Sequence, residues 1–325
     1  MTREDTVKTI AFYHKVSASK VLRYCKTKNK DFQQWEQRKH CVDYMLFIAN
    51  IGEYLSIDEV AQSNGELYTY VTNKAGKGKQ GTIVASIKGT KTQDIIDVLN
   101  KIPLDVRALV KEITLDMAAN MEAAVSEVFP QADLVTDRFH VVRLATNALQ
   151  HLRIDLRWQA QDNENQAIAN ARAEKRKYKV EKLSNGDTVK QLLVRSRHLL
   201  AKKPNQWSES QKERAMLIFG LFPKLQVAYE HTLRFRQIYE YRNKSQAKIA
   251  FQEWINDTYD LDLDKFNTTA HTIENHLENI INFFNHRHTN ANAESFNAKI
   301  KRFRANLRGV SDHVFFFFRI AKLFA

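Results

Sequence analysis

A chain of 325 residues is long enough for one large domain with an insertion, or for two domains, so its size sets no bar to enzyme function. A formal net charge of +13 within 27% charged residues gives a mixed-sign surface with a basic excess, which favours polyanionic partners, nucleic acid first and an anionic membrane surface second. No apolar run reaches membrane-spanning length, the start "MTREDTVKT" has no signal-peptide core, and Cys25 and Cys41 have no CxxC partner; together these predict a cytoplasmic protein with reduced thiols, no membrane partner and no structural zinc site.

Residues 3–26, "REDTVKTIAFYHKVSASKVLRYCK", read as two short helices. Val7, Ile10 and Ala11 form a stripe on the first, Ser17 is placed to cap the second, and Val21 and Leu22 anchor it. The spacing suits a helix-turn-helix that turns Lys20 and Arg23 toward DNA, and suits a plain packing hairpin equally well, with Lys15 standing where such a turn often has glycine. Residues 1–48 are taken as this helical segment.

Six of the nine glycines lie between Gly52 and Gly89, which puts the turn-rich, strand-forming part near the front. "YLSIDEVAQS" and "ELYTYVT" alternate on either side of Asn64-Gly65, a strong hairpin signal, and "GTIVASIKG" supplies a third strand. Then come a helix near 91–101, the strand "EITLD", a helix from about Met117 to Val128, the strand "ADLVTD" and a helix starting near Phe139. Three hairpin-connected strands followed by two crossover units is the order of a ribonuclease-H-like α/β domain with a mixed five-stranded sheet, in which the first and fourth strands are parallel neighbours. Residues 49–150 are assigned to its first part. Residues 151–285 hold only two glycines and read as an all-α insertion, and 286–325 return to the core. Basic clusters in the insertion, among them Lys175, Arg176 and Lys177, are solvated helix faces or a phosphate-tracking surface. "FFFF" at 315–318 reads as a core helix face, and "HRH" at 286–288 has no visible partner in the sequence.

The chemistry concentrates at two strand ends. Asp58 lies in the first strand, with Glu59 alternating to the opposite face, and Asp116 ends the fourth. Two carboxylates on neighbouring strands repel unless a cation sits between them, and oxygen-only donors point to Mg²⁺, with Mn²⁺ as the other choice. The best third carboxylate is Glu294 in "NANAESFNAKIKRFRANLRG". On a helix, Glu294, Asn297 and Lys301 share one face while Phe296, Ile300 and Phe303 occupy another, and Lys299, Lys301, Arg302 and Arg304 are candidate phosphate contacts.

The stretches "SIDE", "ITLDMAANMEAAVSEVFPQADLVTDRFHVVRLATNAL", "LLVRSRHLLAKKPNQWSESQ" and "ANAESFNAKIKRFRANLRGVSDHVFFFFRI" resemble bacterial insertion-sequence transposases of the ISL-three type, from about residue 50 to the end. The resemblance implies a DDE transposase: an acidic triad on a ribonuclease-H-like fold, cutting and joining DNA with divalent metal. Carried over by position, the triad is Asp58, Asp116 and Glu294, and the family's aspartate-histidine pair falls on Asp137 and His140; Arg138, between them, is a candidate DNA contact on the residues alone. It implies transposon ends and target DNA as partners, a homodimer on DNA and a nucleoid-associated location when bound. Family members usually begin with a cysteine-rich zinc finger that is not found here, so a companion DNA-recognition protein is a further expectation. Two other readings share these residues: a structure-selective nuclease that does not join strands, and a catalytically inactive DNA-binding regulator.

Overall fold

The computed structural model describes residues 6–61, 66–307, 310 and 312–325; the expected Asn64-Gly65 turn and Gly309 lie outside them. The chain divides into two compact units, Met1–Arg138 with His286–Ala325, and Phe139–Asn285.

The first unit begins with α1 (Val7–Tyr13), α2 (Ala18–Thr27) and the short α3 (Lys30–Gln33). Thr6 and Ser17 cap α1 and α2 by accepting from the backbone N–H groups of Thr9 and Lys20. Lys15, between the two helices, takes the left-handed φ of 53° that a glycine would adopt without strain.

The sheet has six strands, β1 (Tyr44–Leu46), β2 (Tyr54–Ala61), β3 (Leu67–Asn73), β4 (Ile83–Lys88), β5 (Glu112–Leu115) and β6 (Asp133–Thr136), in the order β1-β4-β3-β2-β5-β6. β2, β3 and β4 form an antiparallel meander, while β5 runs parallel to β2 and β6 parallel to β5. This mixed sheet is compatible with the expected ribonuclease-H-like order. The count of five is corrected to six: β1 pairs with β4 over three residues, too few to carry a period of two in the sequence.

Alternation gives the sheet two packed faces. Leu55, Ile57, Ile113 and Leu115 pack with Ile95 and Leu99 of α4 (Thr92–Leu99) and Met121 and Val125 of α6 (Ala119–Val128), with the short α5 (Leu104–Arg107) between those helices in sequence. Val60, Tyr68, Tyr70 and Ile83 pack with Phe296, Ile300 and Phe303, and with Phe316, Phe317 and Ile320 of the C-terminal helix (His313–Phe324). The phenylalanine run is buried throughout because four successive helical positions cover every side of the helix: Phe316 and Phe317 meet the sheet cluster, while Phe315 and Phe318 meet Cys25 and Phe32 of the N-terminal segment.

The second unit is helical among its described residues. It holds α7 (Arg138–Ala173) from Phe139 onward, α8 (Val189–Arg195), α9 (Glu209–Leu221), α10 (Pro223–Ile238), α11 (Lys244–Asp260), α12 (Asp264–Asn275), α13 (Leu277–Ile281) and most of α14 (Phe283–His286). α15 (Ala291–Asn306) and α16 (His313–Phe324) return to the first unit. Trp254 is a core residue of the second unit, whereas Trp158 is 55% exposed.

At the centre of that core the His231 ring stacks on Trp254 at 4.5 Å and its Nε2 lies 2.6 Å from Thr258 Oγ1. The Thr258 hydroxyl donates to the Trp254 carbonyl, so it accepts from His231 Nε2–H, which fixes a neutral tautomer. Burial, aided by Arg234, pushes the imidazole down to about 4. The unfolded chain therefore binds this proton first, and stability present above pH ~6.5 is lost as pH falls toward about 4, by up to roughly 3 kcal/mol. Urea unfolding at stepped pH is expected to show this loss, and His231→Gln to flatten it.

Candidate active site

The β2–β5 register pairs Tyr54 with Glu112, Leu55 with Ile113 and Ser56 with Thr114; continued by two residues, it sets Asp58 beside Asp116. The β5–β6 register ends at Leu115 with Thr136, and the Asp137 N–H donates to the Leu115 carbonyl at 2.8 Å, which carries the pairing one step further. Asp58, Asp116 and Asp137 thus form a row on one face of three adjacent parallel strands, about 4.8 Å from strand to strand. Asp58 and Asp116 are half-buried, while Asp137 is 2% exposed.

Each carboxylate has its own restraint. Asp116 Oδ1 accepts from the Ala118 N–H at 2.9 Å, which turns the chain into α6. Asp58 Oδ1 accepts from the Glu59 N–H at 2.8 Å, and Asp58 Oδ2 from Asn297 Nδ2 at 2.6 Å. Asp137 Oδ1 accepts from the Asn290 N–H at 3.4 Å. Burial, and then the charge of Asp116, hold the Glu59 carboxyl above its usual range. Glu59, which alternation turns away from Asp58, therefore remains within electrostatic reach of Asp116.

The two asparagine contacts fix the path of α15. Asn297 lies seven helical steps after Asn290, a rise of about 10.5 Å, comparable to the roughly 9.6 Å between β6 and β2. The helix is tied at its start to Asp137 and near its middle to Asp58. Ala293 is buried and Glu294 is exposed in the first turn. Lys299 adds a third tie by donating to the Gly78 carbonyl at 2.7 Å.

Residues 55–320 match the family model of ISL3-type DDE transposases, described as "Transposase". The chain belongs to this family. Among curated proteins, the transposase for insertion sequence element IS1001 of Bordetella parapertussis is 21% identical over 274 residues, covering 84% of this chain and 61% of that protein. This chain therefore spans about three-fifths of the length of that relative. Among the described residues, no helix of this transposase-family chain is long and apolar enough to cross a membrane.

The donor chemistry of the Asp58–Asp116 pair suits a hard divalent cation, since both donors are oxygens and their charges repel without one. The full triad is not gathered as a ligand set: among the described residues, no three His, Cys, Asp or Glu side chains lie together closely enough to hold a metal ion.

On the same face of the sheet, four residues before the aspartates, lies a polar network absent from the expected site. Lys74 Nζ donates to Glu112 Oε1 at 2.9 Å and to Thr114 Oγ1, and His288 Nδ1 lies 3.2 Å from the same Glu112 oxygen. A carboxylate only accepts, so Nδ1 of His288 carries the proton. Burial lowers the Lys74 ammonium, and Glu112 and Asp137 oppose that shift. The sequence does hold a signal for Glu112: in "EITLD" the polar residues Glu112, Thr114 and Asp116 alternate with Ile113 and Leu115, so the polar side of the strand runs its whole length. His288, which the sequence left without a partner, finds one only through the fold.

The remaining expected residues fall in different settings. Lys20 and Arg23 are exposed on α2, and Lys301 and Arg302 are exposed on α15. Arg138 is half-buried at the start of α7, and His140 is half-buried in its first turn. Lys175, Arg176 and Lys177 are exposed just past the end of α7, with Arg176 paired to Glu174. Arg304, by contrast, is buried, lies 3.5 Å from Glu66 and packs over the Phe316 ring.

Removing one partner of a buried ion pair strands the other charge. Glu112→Gln is expected to destabilise the protein by about 3 kcal/mol in chemical denaturation, and the double replacement Lys74→Met with Glu112→Leu to recover much of that loss.

Proposed function

We propose that this chain cuts and joins DNA as an insertion-sequence transposase, with Asp58, Asp116 and Glu294 as its acidic triad. The observation that supports the reading is the register that sets Asp58 beside Asp116, with Asp58 tied through Asn297 to the helix that also carries Glu294. Asp58 and Asp116 would hold Mg²⁺ or Mn²⁺, which when bound stabilises charge on the attacking and leaving oxygens of a phosphoryl displacement. Asn297 orients Asp58, and Asp137 anchors the start of α15, so both act by positioning. The basic excess, with exposed Lys20, Arg23, Lys301 and Arg302, supplies phosphate contacts along transposon ends and target DNA. Joining two ends to one target calls for two copies of the chain, so the assembly on DNA is a dimer in this reading.

The experiment is a cleavage and strand-transfer assay on DNA carrying the element ends. Asp116→Ala is expected to lower cleavage by about a thousandfold or more while DNA affinity stays near wild type; surviving cleavage would remove Asp116 from the triad. Pre-nicked ends that are hydrolysed but never joined would replace the transposase reading by that of a nuclease.

The exposed run after α7 provides a separate check. Charge reversal at Lys175, Arg176 and Lys177 should weaken duplex binding and reduce the slope of log affinity against log salt by about 0.9 for each phosphate no longer neutralised. An unchanged slope would assign the run to a solvated surface.

A further inference from the structure

A cavity of about 570 Å³ opens in the first unit between the start of β2, the turn after β3 and the segment leading into α15. Its lining includes Tyr54, Lys74, Arg287, His288, Thr289 and Asn292. Tyr54 and Glu112 stand four residues before Asp58 and Asp116 on the same strands and the same face, which sets the cavity about 13 Å from the carboxylate row. The triad does not account for this feature, and the basic runs legible in the sequence do not touch it.

Its chemistry is selective. Glu112 holds His288 by Nδ1–H, which leaves Nε2 of a ring about one-third exposed as an acceptor, suited to an N–H of a nucleobase. Tyr54 packs edge-on against His288 at 4.5 Å and against His286 at 5.5 Å, and so forms an aromatic wall. Arg287 is exposed on the lining, and Thr289 and Asn292 add exposed hydrogen-bonding groups. The Arg287 guanidinium beside an aromatic wall, with the lining carboxylate Glu53 paired to Lys111, suits a phosphodiester with a base stacked next to it. The volume lies in the range of pockets that enclose one small molecule, and a concave site of that size takes a nucleotide of a single strand more readily than the side of a duplex.

We propose that this cavity is a nucleotide subsite for single-stranded DNA, which grips one phosphodiester and its base close to the reacting strand. It deepens the proposed function and rests on that reading for the identity of the strand, but binding here needs neither metal nor cleavage.

The test uses the full chain in a chelator-containing buffer and a labelled 12-nucleotide single strand carrying 5-iododeoxyuridine. Arg287→Gly is the leading variant, because Arg287 already has the left-handed φ of 58° that glycine accepts, so the guanidinium is removed without straining the backbone. Asn292→Asp, at an exposed position, places a carboxylate on the lining without disturbing the core. Both variants are expected to melt as wild type and to bind the oligonucleotide about tenfold more weakly. In Arg287→Gly the slope of log affinity against log salt should fall by about 0.7, the value for one single-strand phosphate contact. Photocrosslinks of the wild type should map to Tyr54 or to residues 286–292.

Wild-type affinity and slope in both folded variants would overturn the proposal, as would crosslinks confined to the N-terminal helices. Displacement of the oligonucleotide by inorganic phosphate alone would also overturn it, in favour of a free-anion site. A wild-type protein that crosslinks here yet never cleaves element ends would support the subsite and sink the transposase reading. Cleavage by wild type together with unaffected variants would do the reverse.

Discussion

The site depends on the parallel pairing of β2 with β5. A slip of one residue in that register would move Asp58 out of line with Asp116 and turn one polar face of the sheet toward the aliphatic core, so the register is held by burial on both sides. Leu55 and Ile57, with Ile113 and Leu115, lie in the core formed with α4 and α6. The opposite face of the same strands carries Ser56, Asp58, Glu112, Thr114 and Asp116. Aliphatic packing on one side therefore sets the placement of carboxylates on the other.

The second constraint is the tether of α15. Phe296, Ile300 and Phe303 give that helix its adhesion, but apolar contact alone permits sliding along the sheet. Directional bonds at its start and middle, Asp137 to Asn290 and Asp58 to Asn297, fix its position. Asp137 and Asn297 thereby gain a clear division of labour from the candidate triad: one holds the leading end of the helix, and the other ties the helix to Asp58. The Lys74–Glu112–His288 network pins the segment just before α15 to the same sheet, so the glutamate helix is tied down along its approach as well as along its length.

Much of this was legible in the chain itself. The period-2 runs and the order of strands and helices mark a mixed sheet compatible with a ribonuclease-H-like order, and the helix around Glu294 separates an apolar face from a polar one. β1 is not legible because three residues carry no periodic signal, and Glu112 is legible only as one member of the polar alternation that ends at Asp116. The burial of Arg304 beside Glu66 was not legible for a related reason: a basic residue in a basic run reads as solvated. His288 could not have been placed from the sequence, since its partner stands 176 residues away.

Local physics therefore determined the elements and the alternation of faces, because side-chain period and turn chemistry are properties of neighbouring residues. Tertiary structure alone decided which polar groups meet. Asn297 with Asp58, Asn290 with Asp137, and His288 with Glu112 join segments more than 150 residues apart, and only packing of the aliphatic and aromatic faces brings them within hydrogen-bonding distance. The same packing left Glu294 exposed and outside any gathered group of three metal donors among the described residues, an arrangement that no pattern in the chain announces.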